Sequence, residues 1–207
     1  MSSNITLRIK ADSAYCSGAL ISPDLMAHPA TSTDLVLTCA HFFRSRSGQV
    51  RVAGSSFRAE VLGVVSIPGT DLAVARLSKQ SPPRDLIGIS DRPPTWFSNT
   101  VTEGFGGSAK QPRLRFGRVI FRTPVAFSRR LDTLVRPGAV IYNNPKAIRG
   151  DSGGPVFEGG KIVAVQSLIS DPFGYNLGLA TVSQVGPHRR AIARAIEALQ
   201  GAYPSLD

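Results

Sequence analysis

The chain has 207 residues, 42% hydrophobic and 18% charged, with 20 Gly and 15 Pro; this fits one large domain or two small lobes and excludes a long multidomain protein. Its apolar residues come in short runs between Gly, Pro, Ser and Asp, which excludes a coiled or disordered chain, and no run approaches the roughly 18 residues of a membrane-spanning helix. Against 14 Asp and Glu stand 24 Lys and Arg, 19 of them Arg, a net charge of +10; this favours acidic partners, or else describes a solvated arginine-rich surface, since arginines adjoin only at Arg129-Arg130 and Arg189-Arg190.

The start, Met1-Ser2-Ser3-Asn4-Ile5-Thr6, lacks the basic flank and apolar core of an export signal, so a cytoplasmic setting is expected, with a secreted mature form left open. Segments of β character follow at Ile5–Ile9, Ala14–Ile21, Leu35–Thr38, Val50–Val52, Phe57–Val65 and Leu72–Leu77. Turn chemistry divides them at Ser22-Pro23-Asp24, Ser47-Gly48, Ala53-Gly54-Ser55 and Pro68-Gly69-Thr70. Pro82-Pro83 and Pro93-Pro94 remove backbone donors and mark a linker. A second β-rich stretch covers Thr100–Glu103, Arg113–Phe121, Val140–Tyr142, Pro155–Phe157, Ile162–Leu168 and Leu177–Val182. From Pro187 to Gln200 the period changes: Ile192, Ile196 and Leu199 fall at helical spacing, with Gly201 as a stop. The expected organisation is a first β lobe over 1–80, a linker over 81–95, a second lobe over 96–186, and a helix and tail over 187–207, with the helix packed on the second lobe.

The strongest chemical signal is Arg149-Gly150-Asp151-Ser152-Gly153-Gly154-Pro155. A serine between glycines lets a tight turn present the hydroxyl and aim successive N–H groups at one point, as an oxyanion requires. A serine hydroxyl needs an imidazole to take its proton and a carboxylate to orient that imidazole. His41 ends the apolar run Leu37-Thr38-Cys39-Ala40, whereas His28 lies in a polar loop and His188 opens the helix. Asp71 stands at the mouth of the apolar strand Leu72–Leu77, where a buried carboxylate is tolerable only if hydrogen-bonded. Taken singly, His41 could be a packing histidine and Asp71 a turn cap; Asp34, Asp85 and Asp132 lack the apolar run.

The order His41, Asp71, Ser152, with Thr38-Cys39-Ala40-His41, Asp71-Leu72-Ala73-Val74 and Gly150-Asp151-Ser152-Gly153-Gly154-Pro155, resembles the chymotrypsin/trypsin-like serine peptidase family, and its compact spacing is closest to small bacterial or Deg/HtrA members. The resemblance spans nearly the whole chain and implies an all-β fold, two antiparallel six-stranded β-barrels with a C-terminal α-helix and the active site between them. It implies a serine endopeptidase with catalytic His41, Asp71 and Ser152 and an oxyanion hole from the N–H groups of Gly150 and Ser152. Substrate binding would fall to Lys146, Ala147, Ser167, Leu168 and Ile169, with Ser167 also bonding Asp71 and the backbone from Ser167 to Ile169 pairing with an extended substrate.

Digestive trypsins carry an aspartate where Lys146 falls, so Lys146 either favours an acidic side chain or swings out and leaves a small apolar pocket. No cleavage and insertion site precedes the first strand, so the enzyme is expected to be active without processing and Asp151 needs an internal partner: Arg113, Arg115 or Arg118. Cys16 occupies a family cysteine position while Cys39 does not, leaving two free thiols or a bridge open. No cofactor or metal is implied, since the histidines and acids lack ligand spacing. The partner expected is a protein or peptide substrate, with a regulatory partner or additional domain open, nucleic acid ranked behind, and no membrane. The alternative is a catalytically silent or partner-regulated protease-fold binding module with a basic surface.

Overall fold

Polar and apolar residues alternate in the N-terminal segment, and it forms a strand, β1 (Thr6–Ala11), with Leu7, Ile9 and Ala11 buried and Arg8 and Lys10 on the other face. The computed structural model describes residues 3–44, 48–54, 56–171 and 175–203. Ser47 and Ser55 of the expected turns, the initial Met1-Ser2 and the last four residues of the tail lie outside these.

Six strands close the first barrel: β1, β2 (Ala14–Leu20), β4 (Leu35–Cys39), β5 (Arg51–Ala53), β6 (Arg58–Ser66) and β7 (Leu72–Leu77), in the order β1-β2-β4-β7-β6-β5, all antiparallel. The second contains β9 (Asn99–Gly104), β10 (Arg113–Thr123), β13 (Gly138–Asn144), β14 (Pro155–Glu158), β15 (Lys161–Ile169) and β16 (Leu179–Gln184), ordered β10-β13-β16-β15-β14-β9. Closure leaves neither sheet a continuous free edge. Inward side chains fill each interior: Leu7, Ile9, Leu37 and Val52 in the first, and Val119, Ile141, Val156 and Val182 in the second.

Two short ribbons lie outside the barrels. β3 (His28–Thr31) pairs with β8 (Arg84–Leu86), and β11 (Ala126–Phe127) with β12 (Leu134–Val135). The linker thus carries a strand that its prolines hide: Pro82-Pro83 only precede it, and β8 needs to pair on one side only.

A single 3-10 turn at Gly186–His188 holds Pro187 and leads into α1 (Arg189–Ala202). The helix packs on β6 and β7 of the first barrel, not on the second lobe as the sequence suggested. Its buried stripe, Ile192, Ala195, Ile196 and Leu199, joins the core of the first barrel. The cause lies in β7, buried at all six positions: one face looks into the barrel, and the other would be bare without α1. Arg76 of β7 fixes the contact, donating through Nε to Asp34 Oδ2 at 2.8 Å and through Nη1 to the Leu199 carbonyl at 3.1 Å, which also accepts from the Tyr203 N–H at the helix end.

Candidate active site

β4 is buried throughout, and just beyond it the chain turns, with Ala40 N–H bonded to Asp71 O and Phe43 N–H to Ala40 O, both at 3.1 Å. That turn brings His41 out at the strand end. The fully buried Asp71 precedes β7, the strand beside β4. Its Oδ1 accepts from the His41 backbone N–H at 2.8 Å, and its Oδ2 lies 2.7 Å from His41 Nδ1. Two bonds from one carboxylate fix both backbone and ring, place the proton on Nδ1, and leave Nε2 as the basic nitrogen of the neutral imidazole. Arg44 Nη2 stands 3.8 Å from Asp71 Oδ1, while its Nη1 donates to the Asp132 carbonyl across the cleft.

Burial disfavours the His41 imidazolium, but the Cys39 sulfur, 3.8 Å from Nε2, and the Asp71 carboxylate push the other way, and the net direction is upward. Burial, and then the adjacent Cys16 sulfur, raises Cys39 well above the ordinary thiol range. Its thiol is therefore neutral at pH 7, and the Asp71 hydrogen bond is the cause that persists there. Cys16 and Cys39 are both free and buried.

Ser152 sits on a turn whose glycines at 150 and 153 leave no free room for a side chain. Gly150 has φ +100°, and a Cβ there would lie 2.2 Å from Cε2 of the Tyr15 ring; Gly153 has φ +81°, and its Cβ would lie 2.0 Å from the Ser17 carbonyl oxygen and 2.4 Å from Thr38 Oγ1. The turn is thereby docked on β2 and on β4, three residues before His41. Ser17 ties it down: its N–H donates to Ser152 O at 2.7 Å, its Oγ donates to Gly150 O at 2.7 Å, and that Oγ accepts from Phe105 N–H at 2.9 Å. The Arg149 carbonyl accepts from Gly107 N–H, so the N–H on the far side of that trans peptide, Gly150's, points the opposite way. Among the described residues, neither Gly150 N–H nor Ser152 N–H donates to a protein acceptor.

Asp151, fully buried, accepts from Gly106 N–H and Ile148 N–H, both at 2.8 Å, and is ion-paired with the buried Arg115. Of the three arginines open from sequence, Arg115 is thus the partner; Arg118 Nε donates to the Phe97 carbonyl, and Arg113 is exposed. Alternation along β10 turns Arg115 inward.

Ser152, Ser167, Leu168 and Ile169 line one cleft of about 1030 Å³ together with Ile148, Arg149 and the β11–β12 ribbon. Past Val165, paired with Pro155 of β14, β15 has no strand on that side, so its backbone edge faces the cleft. Two expectations need correction. Lys146 does not line the cleft: it is exposed and donates through Nζ to the Asn176 carbonyl at 2.7 Å, because the ammonium keeps its water by snorkelling outward. Ala147 beside it is buried, its carbonyl held by Asn176 Nδ2. Nor does Ser167 bond Asp71. It occupies a β-bulge between Gln166 and Leu168 that re-aims its side chain to Ser183 Oγ at 2.8 Å. Ser152 Oγ donates to the Ser167 carbonyl at 3.5 Å and, among the described residues, makes no hydrogen bond to His41. Tyr15, Ser17, Arg44 and the β11–β12 ribbon escaped the sequence reading; strands of two residues carry no period, and Ser17 acts through its backbone as much as its hydroxyl.

Residues 16–165 match the model of the trypsin-like peptidase domain. Among solved structures, the fold is similar to that of the Rv3671c protease from M. tuberculosis in its active form, with a TM-score of 0.74 at 18% identity over 93% of this chain and 81% of that one. It is also similar to the serine endoprotease from Yersinia pestis (0.68; 17%; 95% and 64%) and the MamO protease domain from Magnetospirillum magneticum (0.67; 17%; 91% and 95%). No curated protein matches the chain by sequence. With two closed six-stranded barrels and a family match over most of its length, the chain belongs to the trypsin-like peptidase family.

Proposed function

We propose that the chain is a serine endopeptidase acting through an acyl-enzyme. His41 Nε2 takes the Ser152 hydroxyl proton as Oγ attacks the scissile carbonyl carbon; Asp71 keeps the ring oriented and stabilises the imidazolium. The N–H groups of Gly150 and Ser152 receive the charge that develops on the carbonyl oxygen. As the tetrahedral intermediate collapses, the C–N bond breaks and the His41 proton passes to the leaving amine. Water, deprotonated by His41, then attacks the ester, and Ser152 recovers its proton. The substrate strand adds to the open edge of β15 from Ser167 to Ile169. Arg129, Arg130 and Arg149 around the cleft oppose a basic side chain in the substrate, so the trypsin preference for Lys and Arg is not part of this reading.

The observation that carries the proposal is the pair of hydrogen bonds that buried Asp71 accepts from His41, one from the backbone N–H and one from Nδ1. A packing histidine has no use for a carboxylate that fixes its tautomer, and burying that carboxylate is costly unless it is fully bonded. The test is hydrolysis of a peptide library by the purified protein, with products identified by mass. Cleavage should be internal and should fall by a factor of about 10⁶ in Ser152→Ala; cleavage that persists in that variant refutes the assignment.

A further inference from the structure

Outside the cleft, a cluster of cations lies on the first barrel. β1, β5 and β6 are adjacent there, and their outward side chains form two rows: Lys10, Arg51 and Glu60 in one, and Arg8, Ala53 and Arg58 in the other. They surround a concavity of about 470 Å³ with the small Ala53 at its centre. Four cations therefore face one carboxylate. Among the described residues none of the four has a carboxylate within ion-pair distance; Arg51 is engaged only by Gln49 Oε1. Arg8 lies over the Tyr15 ring, 4.2 Å from its centroid, and its buried Nε has no hydrogen-bond partner. A buried N–H without an acceptor is costly, and four like charges around one hollow repel; an anion relieves both.

We propose that this face is a docking site for an acidic peptide segment in extended conformation. Arg8 and Lys10 stand two residues apart on one strand, roughly 6.6 to 6.8 Å, the spacing of alternate side chains along another extended chain. Carboxylates at every second residue of a peptide running along β1 therefore meet both, while Arg51 and Arg58, one and two strands across, hold the adjoining acids. A compact phosphate meets only part of this spread. The proposal does not depend on the peptidase reading.

The probe is a fluorescein-labelled heptapeptide with glutamate at every second position, titrated by anisotropy into full-length Ser152→Ala protein so that it stays intact. Affinity should fall steeply with salt and weaken about tenfold in Lys10→Gln/Arg58→Gln, two exposed side chains whose loss leaves the fold intact. Glu60→Gln should tighten binding, Arg113→Gln on the second barrel should leave it unchanged, and the all-glutamine peptide should not bind. Undiminished affinity in the double variant, with an unchanged melting curve, overturns the site. A single-stranded oligonucleotide of equal charge that binds more tightly and loses that affinity in the same variant overturns the acidic-peptide assignment in favour of nucleic acid.

Discussion

Asp71 stands just before β7, where its carbonyl accepts from Ala40 N–H while its carboxylate holds both the backbone N–H and the ring of His41. The raised affinity of His41 for its proton has a kinetic sign. The base must be neutral to accept the Ser152 proton, so a group that stays protonated to higher pH delays activity on the acid side. We therefore expect kcat/KM to rise with pH along a limb centred above the ordinary histidine value of 6.5, measured by initial rates against pH on a neutral peptide. A limb at or below 6.5 would mean that burial of the ring outweighs the Asp71 bond in the free enzyme and would contradict this expectation. At the same scale, Gly150→Ala places a methyl group against the Tyr15 ring at a left-handed φ. The chain should fold while kcat drops about 10²- to 10³-fold, the cost of one lost oxyanion donor, read by kcat and by circular dichroism on one preparation. Gly150, Ser152, His41 and Asp71 were singled out by their strings, and the structure sets them on the turns beside β4, β7 and β14. The bulge that turns Ser167 to Ser183 was not legible, because a one-residue register shift is set by the neighbouring strand and leaves no local mark.

Among the elements, the strands were legible wherever one face is buried and the other wet, as in β1, or where a short apolar run ends in turn residues, as in β7. β8 and the β11–β12 ribbon fell below that signal: two or three residues give no alternation to read. The helix was legible as a helix from Ile192, Ile196 and Leu199, but its docking partner was not, since an apolar stripe records that a face is covered without recording by what. β7 decides it, because only that strand offers a buried arginine to the Leu199 carbonyl. Leu199→Ala, at a site 2% exposed in the first core, should cost about 2 to 5 kcal/mol. Urea denaturation should give that value; a cost below about 0.5 kcal/mol, the range of surface changes, would mean that the helix does not pack there.

For the molecule as a whole, the proposed catalysis rests on a seam between two barrels. One supplies His41 and Asp71, the other Ser152, and the seam is pinned by Ser17 to Ser152 and Gly150, by Ser3 and Thr6 to buried Glu103, and by Tyr15 to Ser108 N–H. Long-range pairings of this kind have no footprint in local sequence, so the seam became readable only through the family resemblance. The same barrel that contributes His41 to the seam carries four cations without ion-paired carboxylates along β1, β5 and β6. The central claim is that this seam activates Ser152, and it is tested most directly by treating the folded protein with a fluorophosphonate and sequencing the modified peptide by mass spectrometry. We expect a single adduct on Ser152 that disappears in His41→Ala. An unlabelled, folded wild-type protein, or an adduct that survives in His41→Ala at the same rate, would contradict the account.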